Sequence, residues 1–336
     1  MVLTEAALAA LIAQAFTRHG MSPANAQCVA ALVAAAERDG AASHGLLRMP
    51  GYVATLRSGW VDGTATPVVE RPAPSIIAVD ARNGFAQVAL AAARGAGLAA
   101  VRETGMAAIC VRDSHHFAAL WPDVEPFAEA GLVALTMVNT RSRIVAWGGR
   151  RKVLGTNPMA FACPNGDGPP CVWDQASSLR AQGEVLLART QGHAVPEGVG
   201  LDAAGGPTTD PAAILDGGAL LPFGGPKGAG IAFMIEVLAA ALTGGRFGFQ
   251  DESATFPGAQ TSKAGQFLLL IDPARTGGDA FPGRVAGLVA ALRDAGSERL
   301  PGDARRRRRA LALRDGITVP DAAYQHLLAM TQEAAG

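Results

Sequence analysis

The chain is poor in what a nucleic-acid or membrane protein requires. Aromatic residues make up 5% of its 336 positions, and 29 basic residues are balanced by 29 acidic ones. Binding nucleic acid needs a basic footprint and usually stacking rings, so no nucleic-acid partner is expected. No apolar run reaches the roughly 18 residues of a membrane span without glycine, proline or charge, so no membrane partner is expected either. The start, Met1-Val2-Leu3-Thr4-Glu5, lacks the charged region of a signal peptide and passes directly to a helix-capping residue. The expected location is therefore cytoplasmic. The four cysteines, Cys28, Cys110, Cys163 and Cys171, are irregularly spaced within apolar stretches, as suits reduced core thiols. The six histidines include one adjacent pair, His115 and His116, and no zinc-ligand spacing, so no metal is expected.

With 49% hydrophobic and 17% charged residues, the chain can bury a large core. Its length suggests two domains, or one large domain with excursions. Helical periodicity runs over 4–18 and again over 23–38, the second opened by Ser22 as cap and Pro23 at the first helical position. A Gly-, Thr- and Pro-rich stretch, 59–75, leads to a short buried strand, 75–80, and an Asn83-Gly84 turn. A helix over about 85–104, a strand over 107–111, a polar loop over 112–117, a helix over about 121–130 and a strand over 132–138 follow. This order predicts a mixed α/β sheet layered with helices. Beyond it, 155–162 and 171–174 read as strand ends facing a cleft, 189–222 as a long connection, and 231–242 as an apolar helix. The basic run Arg305 to Arg309 reads as a solvated or phosphate-steering helix face.

The most chemically loaded segment is Ser43-His44-Gly45-Leu46-Leu47-Arg48. In a helix, His44 and Arg48 would project from one face, an acid–base group beside a carboxylate clamp. Histidine titrates near neutrality, and arginine offers a planar fork that matches a carboxylate. Pro50 and Gly51 are expected to end that helix soon after Arg48. On its own the pair reads as well as a surface histidine with an arginine at ion-pair spacing. Ser43 lacks the G-x-S-x-G elbow of an acyl-transfer nucleophile and reads instead as orienting, or relaying a proton to, His44. Gly95-Ala96-Gly97-Leu98-Ala99-Ala100 matches G-x-G-x-x-A but falls within a helix rather than after a strand. Gly224 to Gly230 fails the P-loop pattern because Gly228, not Ser or Thr, follows Lys227. That segment reads either as an anion site at a helix N-terminus or as close packing that only glycine tolerates.

Taken together, the stretch Asp39 to Tyr52, Gly155-Thr156-Asn157-Pro158 and Gly224-Gly225-Pro226-Lys227-Gly228 resemble the malate/L-lactate dehydrogenase family that lacks a Rossmann fold. The resemblance covers nearly the whole chain. Within the family, His115 to Pro122, Asp174 to Ser178 and Gly192 to Gly198 resemble the branch that reduces the cyclic imino acids Δ1-piperideine-2-carboxylate and Δ1-pyrroline-2-carboxylate. The resemblance implies a homodimer that uses NADPH, with NADH possible, on a non-Rossmann mixed sheet. It also implies a helical domain, 1–58 with 300–336, carrying the Ser-His-Arg motif, and a cofactor- and substrate-binding region, 59–299. His44 is implied as proton donor assisted by Ser43, with Arg48, Thr156, Gln182 and Gly183 at the substrate. His116, Phe117, Ala118, Ala119, Leu120, Asp174, Gln175, Ala176, Gly225 and Pro226 would line the cofactor. Arg299, Leu300, Pro301, Gly302, Asp303, Ala304 and Arg305 would line it too, while Pro226 replaces the family's usual aromatic. Glu184 stands where keto-acid members tend to carry lysine. An acid there suits an iminium substrate and a protonated His44, and makes it the third relay member; the other reading is a solvated glutamate in a turn. The alternative activity is reduction of a 2-oxoacid of malate, lactate or ureidoglycolate type by the same His44 and Arg48.

Overall fold

The computed structural model describes residues 1–333. Thr4 and Ser22 cap the first two helices, Glu5–Arg18 and Pro23–Arg38, their hydroxyls accepting from the N–H groups of Ala7 and Asn25. Each satisfies a backbone donor that the helix itself leaves free. The two pack on each other and the first also on the C-terminal helix Asp321–Gln332, and the strand Val2–Leu3 pairs with Ile317–Thr318, which ties the two chain ends together. Their shared core includes Leu8, Ile12, Phe16, Val29, Val33, Tyr52, Leu327 and Met330. Tyr52 is the hub of its aromatic part, its ring 5.1 Å from Phe16, 5.7 Å from Phe85 and 4.4 Å from Phe117. Phe117 follows His116, so this packing fixes the loop leaving the main sheet.

That sheet has seven strands in the spatial order Val68–Ala73, Ile76–Asp80, Met106–Ser114, Ala264–Ile271, Val133–Val138, Met159–Asn165, Gly168–Gln175. Only Ile76–Asp80 and Met106–Ser114 run parallel, and the helix Ala86–Thr104 makes the crossover between them. All other neighbours are antiparallel. One crossover in a seven-stranded mixed sheet is not a doubly wound dinucleotide fold. The G-x-G match lies inside the crossover helix, where a Cβ on Gly97 would meet the Ile109 side chain at 2.7 Å. Glycine there serves helix-on-sheet packing. A second, five-stranded sheet includes Ser142–Val145 and Lys152–Gly155, with its own core around Ile144, Val185, Val199 and Leu220. Among the described residues no helix is long and apolar enough to cross a membrane.

Two expectations need correction. The strand expected at 107–111 extends over Met106–Ser114, absorbing half of the polar loop, because its neighbour Ala264–Ile271 pairs with it as far as Ser114. Pro50 and Gly51 do not end a helix; Pro50 lies in the first turn of one, Met49–Arg57, where proline's missing N–H costs nothing.

Candidate active site

His44 and Arg48 are not on one α-helix. Two 3₁₀ turns, Ala42–His44 and Leu46–Arg48, flank Gly45. The break has a local cause: the Glu37 carboxylate accepts from the Leu46 N–H at 2.6 Å, and a Cβ on Gly45 would lie 2.2 Å from that same oxygen. The kinked segment still delivers both side chains to one cavity of about 800 Å³. Ser43 Oγ lies 3.1 Å from His44 Nδ1, and Arg48 Nε donates to the Ser43 carbonyl at 2.8 Å. Arg48 is thereby oriented through Nε, and its two terminal nitrogens have no bonded partner among the described residues. Gly183, near the start of the helix Gln182–Gln191, lies over this group: a Cβ there would be 3.4 Å from Ser43 and 3.6 Å from Arg48 Nη2. Burial, then the fields of Arg48 and His116, lower the His44 pKa to about 4. His44 is thus a neutral imidazole at neutral pH in the free protein.

Thr156, Gln182 and Gly183 line the same cavity, and Thr156 Oγ1 is 3.3 Å from Thr140 Oγ1. His116 lines it as well; its Nε2 is 3.4 Å from Asp123, whose carboxylate also accepts from Gln266 at 2.8 Å. A further wall is built from Phe117, Ala118, Ala119, Asp174, Gln175 and Ala176, with Arg299 to Gly302, Ala304 and Arg305. Asp174 accepts the backbone N–H groups of Leu120 and Trp121 at 2.7 and 3.2 Å, holding the start of the helix Trp121–Glu129. The Arg305 guanidinium lies 4.8 Å from the Trp121 ring centroid, and its buried Nε has no partner.

The structure does not bring every expected residue to this cavity. Glu184 faces solvent, its side chain 55% exposed. As third residue of its helix it accepts from the Ala181 N–H at 3.1 Å and lies 3.7 Å from Arg180, as the solvated-turn reading had it. Gly225 and Pro226 open the helix Pro226–Ile235 against Trp147 and are not part of the cavity lining; close packing explains Gly225 and Gly228, and a positive φ explains Gly224, while Gly230 faces open space. A Cβ on Gly228 would fall 2.4 Å from the Phe223 carbonyl oxygen. Leu120 contributes its N–H to Asp174 rather than a cavity surface. Asp303 is occupied by the Leu300 N–H at 2.9 Å, Arg306 at 2.7 Å and Arg293.

Sequence reasoning missed Asn139, Thr140, Arg141 and Arg143, which line the cavity just beyond the strand Val133–Val138. Arg141 is committed to Asp251 at 2.7 Å, whereas Arg143 has no ion-pair or hydrogen-bonding partner among the described residues. Burial first, then Arg141, lowers the Arg143 pKa to about 10. The available signal was the polar run Asn139-Thr140-Arg141-Ser142-Arg143 directly after an apolar strand.

Comparison with known proteins agrees with this architecture. A sequence model described as malate/L-lactate dehydrogenase matches residues 3–328. A Δ1-pyrroline-2-carboxylate/Δ1-piperideine-2-carboxylate reductase of Pseudomonas putida is 50% identical over 320 residues, 95% of this chain and 94% of that protein. A (2R)-3-sulfolactate dehydrogenase (NADP(+)) of Chromohalobacter salexigens is 42% identical, over 88% of this chain and 87% of that one. The crystal structure of Δ1-piperideine-2-carboxylate reductase from Pseudomonas syringae pvar. tomato superimposes with a TM-score of 0.97 at 49% identity, covering 98% of this chain and 99% of that one.

Proposed function

Since the chain belongs to the malate/L-lactate dehydrogenase family, we propose that it is an oxidoreductase acting on C=N, reducing Δ1-pyrroline-2-carboxylate and Δ1-piperideine-2-carboxylate to proline and pipecolate with NADPH. The observation that carries the reading is the convergence of a serine-backed imidazole and an arginine with free terminal nitrogens in one cavity, in a chain half identical to a reductase of those imino acids.

Arg48 presents its terminal nitrogens to the substrate carboxylate as a bidentate fork, and the Thr156 hydroxyl adds a donor. Fixing the carboxylate fixes which face of the C=N bond is presented for reduction. The same contact prepares the acid. Burial first, and then the Arg48 guanidinium, hold the His44 pKa down, so a carboxylate that neutralises Arg48 removes the second of these and raises the proton affinity of His44. Substrate binding is therefore coupled to loading His44 with the proton that the product nitrogen receives, and Ser43 orients the ring from Nδ1.

A nicotinamide cofactor fits the wall formed by Asp174 to Ala176 and Arg299 to Arg305. The buried, partnerless Nε of Arg305 and the neighbouring Arg299 and Arg308 form a cationic rim suited to phosphate. Bound there, the cofactor supplies the hydride that goes to the imine carbon. NADPH rather than NADH is favoured by this arginine-rich rim and by the NADP(+) in the name of the sulfolactate-oxidising relative.

The protein is further proposed to be a cytoplasmic homodimer. Its four cysteines are free. Phe233, Val237 and Leu242, 65%, 40% and 58% exposed, form an unpartnered apolar face along one helix, with the exposed Phe249 and Trp147 as further candidates for the interface. We also propose that the chain-end helices and the sheets form the two units outlined from the sequence, each centred on its own buried cluster, with Val61, Phe85 and Phe117 joining the helical one and Ala36 the sheet one. The decisive assay follows oxidation of NADPH and NADH with each cyclic imino acid and with pyruvate. Reduction of pyruvate in preference to both imino acids would replace this reading with the 2-oxoacid one.

A further inference from the structure

We propose that Glu236 is a positioning residue for the substrate carboxylate: its buried side chain sets the Thr140–Thr156 hydroxyl pair that meets the substrate. The proposal rests on the reading of Thr156 given above.

Glu236 is 4% exposed and opens a π-helical turn, Glu236–Ala241, that continues the helix Pro226–Ile235. Such turns insert one residue into a helix and re-aim the side chains around it. Its carboxylate has no cationic partner among the described residues; four N–H groups solvate it instead. Oε1 accepts from the Gly155 N–H at 3.3 Å and the Asn157 amide at 3.1 Å. Oε2 accepts from the Asn139 amide and the Gly248 N–H, each at 3.2 Å. Three of these donors, all but Gly248, belong to the segments that flank the cavity threonines. Asn139 precedes Thr140, and Gly155 and Asn157 bracket Thr156.

The network continues without a gap to the hydroxyls. The Asn157 amide nitrogen also donates to the Ala232 carbonyl at 2.9 Å, and its oxygen accepts the Thr140 N–H at 3.0 Å. Thr140 Oγ1 then meets Thr156 Oγ1 at 3.3 Å. Asn157 is held at φ +34°, a left-handed conformation that a non-glycine residue keeps only when its surroundings impose it. A buried anion that stabilises nothing by charge pairing is costly, and its use here is to impose one arrangement on two loops.

Glu236→Gln is the discriminating variant. The new NH₂ must face either Gly155 with Asn157 or Gly248 with Asn139, and the two backbone N–H groups cannot turn away. KM for the imino acid is expected to rise about tenfold or more, the scale of a lost hydrogen bond to a charged group, while the NADPH dissociation constant, read by fluorescence, stays within about twofold. A merely structural residue would lower the thermal midpoint and the active fraction without moving KM. An unchanged KM in folded Glu236→Gln overturns the proposal, as does equal weakening of both ligands. Should that variant not fold, Thr140→Ala removes the hydroxyl that meets Thr156 and accepts the Asn157 N–H at 3.5 Å, and is expected to raise KM similarly, with Thr140→Ser restoring it; failure of either result is equally fatal. If the wild-type enzyme ignores imino acids and reduces a 2-oxoacid, the function proposed above fails, and the Glu236 effect is read as the KM ratio on that acid.

Discussion

Replacing Arg309 by methionine tests how the helix Asp303–Asp315 is locked against the site. Arg309 Nε donates to Asp39 at 2.9 and 3.2 Å, and its Nη2 donates to Asp39 at 2.5 Å and to Glu125 at 2.7 Å. The Asp39 side chain is 0% exposed and that of Glu125 10%. Removing one partner of a buried ion pair typically costs about 3–5 kcal/mol, because the remaining charge stays desolvated. Asp39 keeps a 2.7 Å bond from Arg38, while Glu125 loses its one ion-pair partner among the described residues, so the lower figure applies. A loss of about 3 kcal/mol corresponds to a thermal midpoint lower by roughly 4 °C for a chain of this size, at about 2.1 cal/mol/K of unfolding entropy per residue. Urea and thermal unfolding of wild type, Arg309→Met and the double variant Arg309→Met/Glu125→Met supply the test. The double variant is expected to recover most of the loss, since an apolar pair of similar volume often replaces a buried ion pair without penalty. A single-variant loss below about 1 kcal/mol, or a double variant no better than the single one, would refute the reasoning.

Other outcomes follow from the same geometry. His44→Ala is expected to lower kcat by ~10²–10⁴-fold while leaving NADPH binding intact, as titration of the cofactor by fluorescence would show. Arg48→Lys should raise KM for the imino acid by about tenfold, because a point charge cannot reproduce the fork; an unchanged KM in steady-state assays would assign the carboxylate to another group. Acid stability should follow the buried histidines. Burial and Arg48 lower His44 to about 4, and burial and Lys263 lower His115 to about 3, from an ordinary 6.5. The unfolded chain therefore binds protons that the native protein refuses, and stability complete above pH 6.5 is lost as pH falls toward those values. At pH 4.5 the His44 share is on the order of 2–3 kcal/mol. His44→Ala should accordingly flatten the pH dependence of the urea midpoint between pH 7 and 4.5, and identical slopes would rule this coupling out.

What could be read in advance was local. Thr4, Ser22 and Pro23 announce their helices because a cap acts on its own N–H neighbours and needs nothing distant. Proline was misread for the same reason: at position 50 it can end one element or begin another, and only the Glu37 bond to Leu46 decides which. The antiparallel partner at 264–271 lies 150 residues from Ser114, beyond the reach of any periodicity, so the length of the central strand could not be seen.

The site divides along the same line. Ser43, His44 and Arg48 lie close in sequence and carry their chemistry with them, so the motif located the cavity even though its helical geometry was wrong. Glu184 shows the reverse: its residue type suited an iminium, but the third position of a helix claims a carboxylate for capping before any ligand can. The basic run at 305–309 was least legible, because neighbouring arginines on one helix do different work. Arg305 stacks on Trp121 in the cavity wall, Arg306 donates to the Pro170 carbonyl and Asp303, Arg308 reaches Gly40, and Arg309 binds two buried carboxylates. A run that reads as one solvated or phosphate-steering surface is divided: Arg308 and Arg309 fasten the helix Asp303–Asp315 to Gly40 and Asp39, close to His44 in sequence, while Arg305 stays on the cavity wall. Cofactor affinity and fold stability should therefore weaken together in Arg309→Met, and separately in Arg305→Met, where the cation is lost and the fastening is kept.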